Sequence, residues 1–371
     1  MRLPTDRYID IATGGDSATG SATGSATGSA TGTLRLRYWF EGDHGPPLVL
    51  IHGIGGSVDV WRKQFEHLAL THCVLALDLP GCGRSAIPPQ YPSDTLGMLA
   101  GAVRAVMQAV GIEQATVIGS SLGGAVAVEF AMRWPALVSA LVLIGPAGMT
   151  HKVAWTLRLM TIRGVGELMT LPDRTRTGHA IRGCVANPAV VEEEDIDRAF
   201  ALATLPGAQD AFLRLLRTYA NVRGLDRNEL HRLQAGMRTI HAPTLVIWGE
   251  QDQILPVAGA YAALHSLPNA GLIVRKGSGH LVFIDEPAWF DELVTAFVRS
   301  PAHILACVRR EAPVPDAAEP QQAQAAKQAL IPAPAPVSRY LTPRTLAVTA
   351  AGLLLVAGVQ FFRQQNGQPP A

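Results

Sequence analysis

Cysteine is scarce in this chain: Cys73, Cys82, Cys184 and Cys307 are all there are, widely spaced and without a Cys-x-x-Cys pair. That excludes a zinc knuckle and a disulfide framework, and it fits a reducing compartment. Charge is scarce too, with 16% charged residues and a formal net charge of +1. No basic surplus is available for a nucleic-acid partner, and no Gly-x-x-x-x-Gly-Lys loop is present to cradle phosphates. The first fifteen residues hold Asp6 and Asp10 and no continuous apolar run, so they do not read as a secretory signal. What remains is a chain of 371 residues, 48% hydrophobic, long enough for one large α/β domain with appendages.

The appendages are compositional. Residues 1–33 read as a flexible segment, because Ser17 to Gly32 are four copies of Ser-Ala-Thr-Gly that offer little apolar surface to offset the entropy of ordering. Residues 301–343 shift to Pro, Ala and Gln and read as a semi-extended disordered linker. Residues 345–362 then run without a charge between Arg344 and Arg363. As a helix they would span roughly 27 Å, close to the ~30 Å of a hydrocarbon core. The expectation is a membrane helix over 344–363, a short tail over 364–371, and a catalytic domain held on the cytoplasmic side.

Between Leu34 and Ser300 strand and helix signals alternate. Short apolar runs recur at Leu34–Phe40, Leu48–His52, Cys73–Asp78, Ala115–Gly119, Ala140–Ile144, Thr244–Trp248 and Leu272–Arg275. Helical patterns separate them, which predicts a mostly parallel, doubly wound sheet. From about 146 to 241 the pattern is helical with no convincing strand, as for a cap inserted over the C-terminal edge of the sheet.

Gly119-Ser120-Ser121-Leu122-Gly123 falls between a strand run and a helix run. A nucleophile on a sharp turn needs small neighbours, so Ser121 is the candidate nucleophile. A serine hydroxyl also needs a base, a group that orients the base, and donors for the oxyanion. His280, in the loop Gly277-Ser278-Gly279-His280 after the last strand run, is the candidate base. Asp252, just after the run Thr244–Trp248, is the candidate acid, with Glu250 a weaker rival; Asp285 and Glu286 read as caps of the helix at Pro287. The glycine-rich loop after Leu48–Ile51 and the start of the helix after Ser121 supply the candidate oxyanion donors, the N–H groups of Ile54 and Leu122.

Taken together, His52-Gly53, Asp78-Leu79-Pro80-Gly81-Cys82-Gly83-Arg84-Ser85, Gly119 to Gly124, Asp252 and Gly279-His280 resemble the α/β-hydrolase superfamily. Ile247 to Asp252 and Ile144 to Gly148 are similar to monoacylglycerol lipases and aromatic meta-cleavage-product hydrolases. The resemblance covers about residues 34–300. It implies an eight-stranded sheet, an inserted cap, a Ser121–His280–Asp252 triad, no cofactor and no metal. The serine at the elbow argues against haloalkane dehalogenases and epoxide hydrolases, which carry aspartate there. Three functions stay open. One is an esterase or lipase acting on a small-molecule ester, lipid-derived esters included. The others are a hydrolase of carbon–carbon bonds and a catalytically silent binding module.

Overall fold

Alternation along each strand explains why the sheet forms where it does. In Leu48–Ile51, Leu48 and Leu50 point into one apolar cluster while Val49 and Ile51 point into another. In Thr244–Gly249, Leu245 and Ile247 face one way and Val246 and Trp248 the other. A strand that is apolar on both faces must be covered on both, and parallel sheets are built that way. The computed structural model describes residues 4–12 and 32–308.

The large sheet is assembled from β1 (Arg7–Ala12), β2 (Thr33–Glu41), β3 (Leu48–Ile51), β4 (Val74–Leu77), β5 (Ala115–Ser120), β6 (Val138–Ile144), β9 (Thr244–Gly249) and β10 (Ala270–Arg275). Two short strands between them, β7 (Ala220–Asn221) and β8 (Gly224–Leu225), form a separate hairpin. The spatial order is β1-β2-β4-β3-β5-β6-β9-β10, eight strands as expected. Pairings from β4 to β10 are parallel, and those of β1 with β2 and β2 with β4 are antiparallel.

Helices α1 (Arg62–Leu68), α2 (Thr95–Ala109) and α3 (Leu122–Arg133) follow the first crossovers. The cap between β6 and β9 holds α4 (Trp155–Met160), α5 (Val165–Met169), α6 (Arg174–Arg182), α7 (Glu193–Ala203), α8 (Ala208–Tyr219) and α9 (Arg227–Met237). Then come α10 (Ala258–Ser266), α11 (Val282–Asp285), α12 (Pro287–Arg299) and α13 (Pro301–Cys307). One face of the sheet packs on α2, α3 and α10 through residues such as Leu99, Val126 and Ala260; the other packs on α1 and α12 through Phe65, Phe290 and Phe297.

Three segments depart from the sequence reading. Arg7–Ala12 lies in the stretch read as flexible, yet it pairs along β2 from Arg7 opposite Tyr38 to Ala12 opposite Thr33. Its alternation puts Ile9 and Ile11 against the core, a period-2 signal too short to stand out beside the repeats. The first residues of the stretch read as a linker are helical: α13 occupies Pro301–Cys307 and packs Ile304 and Leu305 against the second cluster. In the cap, where no strand was expected, β7 and β8 form a two-residue ladder. Residues 13–31 and 309–371 hold most of the repeat, the Pro-rich stretch and the expected span, and they lie outside the described residues. Among the described residues no helix is long and apolar enough to cross a membrane.

Candidate active site

Parallel strands in register bring their C-terminal ends to one edge. Ile51 is level with Gly119, Ser120 with Ile144, and Trp248 with Val274. The loops that follow β3, β5, β6, β9 and β10 therefore converge, although Ile54 and His280 lie far apart in sequence.

Ser121 sits at the sharpest of these turns. Its backbone adopts φ 56° and ψ −119°, and it is the one non-glycine residue with positive φ among the described residues. Such a conformation costs about 1–3 kcal/mol and persists only where the surroundings enforce it. Here they do: the Ser121 N–H donates to Ile144 O at 2.9 Å, and its carbonyl accepts from Gly124 and Ala147. The flanking glycines are compulsory. A Cβ on Gly119 would lie 2.2 Å from Gly123 O, and one on Gly124 would lie 2.7 Å from Pro146 Cβ.

Asp252 and His280 come from different loops and meet directly. His280 Nδ1 and Asp252 Oδ2 are 2.7 Å apart, and the aspartate side chain is fully buried. The other oxygen, Oδ1, accepts the N–H groups of Ile254 and Leu255 at 2.8 and 2.9 Å. The two loops pack backbone to backbone, since a Cβ on Gly249 would lie 2.0 Å from Gly279 O. Glu250 is exposed and takes no part. Ser121 stands across Gly145 from this pair: Ile144 holds the serine N–H, and a Cβ on Gly145 would be 3.3 Å from both Asp252 Oδ2 and His280 Nδ1. No hydrogen bond joins Ser121 Oγ to the imidazole among the described residues. Catalytic hydrogen bonds of this kind often tighten only once substrate is bound.

The oxyanion candidates flank the serine. Leu122 opens α3, so its N–H has no partner within the helix. Ile54 sits in a tight turn closed by Gly56 N–H to Gly53 O at 3.1 Å, with Gly55 at φ 68°. Gly53 touches the candidate nucleophile; a Cβ there would lie 3.0 Å from Ser121 Cβ.

Several residues that hold this geometry were not nominated from sequence. His52 is fully buried behind the Gly53–Gly56 turn, with Nδ1–H donating to Gly53 O at 2.7 Å and Nε2 accepting from Leu79 N–H at 3.0 Å. Its position at a strand end beside glycine was the available signal. Burial, reinforced by the nearby Arg37 charge, pushes its pKa down to about 4 against the pull of the Gly53 carbonyl and Asp59. The unfolded chain then binds a proton on His52 at a pH where the folded protein does not. The corresponding stability is complete above pH 6.5 and is lost as pH falls toward 4, by about 3 kcal/mol in all. We expect wild type to lose that amount relative to His52→Gln between pH 7 and pH 4 in denaturant titrations; parallel curves would contradict it.

Asp285 also exceeds its expected role as a helix cap. It accepts the N–H groups of Gly279 at 2.7 Å, Ala186 at 3.0 Å and Asn187 at 3.1 Å, tying the histidine loop to the cap. Phe212 of α8 lies over the oxyanion loop, where a Cβ on Gly55 would come within 3.1 Å of its ring; nothing in the local sequence marks it. Asp78 anchors the neighbouring turn by accepting Val58 N–H at 2.6 Å and Arg84 N–H at 2.8 Å. Ser121 and His280 are only 8% and 4% exposed, so the cap closes over them. Beside Leu122 an apolar cavity of about 40 Å³ is lined by Leu96, Ala125, Tyr219, Leu230 and Leu233 among others. The larger surface cavity, about 580 Å³ around Arg104 and Trp134, includes none of the candidate site residues.

The sequence model of the alpha/beta hydrolase fold matches residues 46–165 and 200–287, more than half of the chain. The chain belongs to the α/β-hydrolase family. The unmatched stretch between the two parts lies in the cap of this α/β hydrolase, from α5 to α7. An uncharacterised protein of Mycobacterium tuberculosis is 32% identical over 262 residues, covering 68% of this chain and 75% of that protein. A monoacylglycerol lipase of Xenopus laevis is 26% identical over 268 residues, covering 69% of this chain and 76% of the lipase. Among solved structures, a meta-cleavage product hydrolase from Pseudomonas fluorescens has a TM-score of 0.60 at 23% identity, covering 72% of this chain and 94% of its own, a likeness of fold.

Proposed function

We propose that this α/β hydrolase is a serine hydrolase that cleaves a carboxylic ester with an apolar acyl group. The observation that carries the reading is the forced backbone of Ser121 at the strand edge that also holds the Asp252–His280 pair. Ser121 Oγ attacks the ester carbonyl carbon while its proton passes to His280 Nε2. Asp252 holds the imidazole with its proton on Nδ1 and stabilises the imidazolium. The N–H groups of Ile54 and Leu122 receive the oxyanion. His280 returns the proton to the departing alkoxide, leaving an acyl-serine. Water, deprotonated by His280, attacks that carbonyl; the acid leaves and the serine recovers its proton. The apolar side chains of Leu96, Leu122, Leu230 and Leu233 beside the site and the likeness to a monoacylglycerol lipase support an apolar acyl group. We also propose that the uncharged stretch 345–362 anchors the chain in a membrane, with the catalytic domain on the cytoplasmic side.

Fluorophosphonate labelling of the full chain tests the reaction class. The expected result is labelling of wild type that disappears in Ser121→Ala, with turnover of p-nitrophenyl or glycerol esters lost in step. Folded wild type that takes no label would speak for a silent binding module. A labelled protein that ignores esters but cleaves a vinylogous diketone would move the assignment to carbon–carbon bonds. In the same preparation, release of the chain from membranes by carbonate would remove the anchor.

A further inference from the structure

The first two cap helices wear their apolar side chains on the outside. Trp155 is 67% exposed and Leu168 66%, and Leu159, Ile162, Val165 and Leu171 are exposed with them. Within α4, Trp155 and Leu159 are four apart, and within α5, Val165 and Leu168 are three apart, so each pair shares one helical face; Ile162 lies in the turn between the two helices. Among the described residues, six of the ten large exposed hydrophobics fall within these seventeen residues. A concentration of that kind marks an interaction surface, whereas scattered ones need no explanation.

The polar contacts of the same segment point the other way, into the cap. Gln209 of α8 donates to Glu167 O at 2.7 Å and to Thr170 Oγ1 at 3.1 Å. Arg217 of α8 donates to Thr161 O at 3.2 Å and to the Glu167 carboxylate at 2.9 Å. These bonds strap the segment to α8 while the large apolar side chains of Trp155, Leu159, Val165 and Leu168 stay exposed.

Charge decides what fits there. From His151 to Pro172 the cations are Lys152, Arg158 and Arg163, and the single acid is Glu167, already engaged by Arg217. Lys152 and Arg163 are exposed, and neither has a carboxylate partner among the described residues. A second copy docked through the same patch would bring these cations toward their own counterparts. Anionic lipid headgroups would neutralise them while the acyl chains receive the tryptophan and leucines. The uncharged stretch 345–362 would bring the same chain to a bilayer.

We propose that the outer face of α4 and α5 docks into the interface of an anionic lipid bilayer. Trp155 and Leu168 enter the boundary between headgroups and acyl chains, and Lys152 and Arg163 sit among the headgroups. The face is strapped to α8, the helix that carries Phe212 over the oxyanion loop, so docking brings the lipid surface to the covered side of the site. The inference goes beyond the proposed reaction and does not depend on the bond cleaved.

The test uses the full chain reconstituted into vesicles of phosphatidylcholine brominated on its acyl chains, with or without 30% phosphatidylglycerol. Tryptophan emission is compared between wild type and Trp155→Phe, so that the difference reports Trp155 whatever the C-terminal stretch does. Quenching of the Trp155 component in the anionic vesicles, and markedly less in neutral ones, is the expected result. In the anionic vesicles Lys152→Gln with Arg163→Gln should lower the docking constant roughly 25-fold, about fivefold for each charge. Equal quenching of wild type and Trp155→Phe would overturn the proposal. So would a cross-linked dimer that is lost in Leu168→Ser, since a second copy would then cover the face. The substituted side chains are exposed, and unchanged unfolding midpoints of the variants confirm that folding is not what moved.

Discussion

Asp252→Asn is expected to lower kcat by about four orders of magnitude while leaving the fold intact. The reason lies in how the carboxylate is held. Oδ1 accepts two backbone N–H groups, from Ile254 and Leu255, so the amide oxygen of asparagine has to occupy that place. The amide nitrogen is then turned toward His280 Nδ1, where Oδ2 now lies at 2.7 Å. A donor facing that nitrogen makes it the acceptor and places the ring proton on Nε2, the atom that has to take the proton of Ser121. The size of the side chain and both backbone bonds survive, so the melting temperature should stay close to that of wild type. Activity within threefold of wild type would mean that Asp252 does not set the tautomer, and the proposed triad would fail with it.

Gly123→Ala is the second large effect, and it acts through stability. The added Cβ would lie 2.3 Å from Ile51 O and 2.5 Å from His52 O. Both are backbone atoms, and a methyl group has no rotamer by which to avoid them. Helix α3 and the end of β3 must separate, at a cost of about 3 kcal/mol. The expected fall in Tm is roughly 6–12 °C. The separation also displaces the N–H groups of Ile54 and Leu122 relative to Ser121, and a 1 Å error in such a site costs about a hundredfold in rate. Gly101→Ala on α2 is the control, because nothing lies within 4 Å of a Cβ there. It should hold or raise the melting temperature, since alanine is favoured over glycine inside a helix. A Gly123→Ala protein that melts with wild type and labels at the wild-type rate would show that the close approach is not required.

Much of the fold was legible because its signals are local. Each expected strand from Leu34 to Arg275 appears in the sheet. Legibility failed where the local signal was weak or competed with a stronger one. Arg7–Ala12 alternates over only six residues and adjoins the repeats, and Pro301–Cys307 opens a stretch whose later composition is that of a linker. The cap was legible as helices and no further. Its segments could be placed between β6 and β9, but the faces they present depend on what α8 offers them. The site divides along the same line. Ser121 could be nominated from the glycines around it, whereas His52, Phe212 and Asp285 owe their positions to partners distant in sequence.

The sequence by itself determined the alternation of strands and helices, the small-residue spelling of the turn at Ser121, and the loops that carry Asp252 and His280. Those features depend on neighbours a few residues away, through steric periodicity and backbone freedom. Only the tertiary structure decided that Asp252 rather than Glu250 meets His280, that His52 is sealed in a neutral form behind the Gly53–Gly56 turn, and that the first cap helices leave large apolar side chains exposed. Each of these depends on burial and on distances across the sheet edge, and both come into being only when the strands align their C-terminal ends.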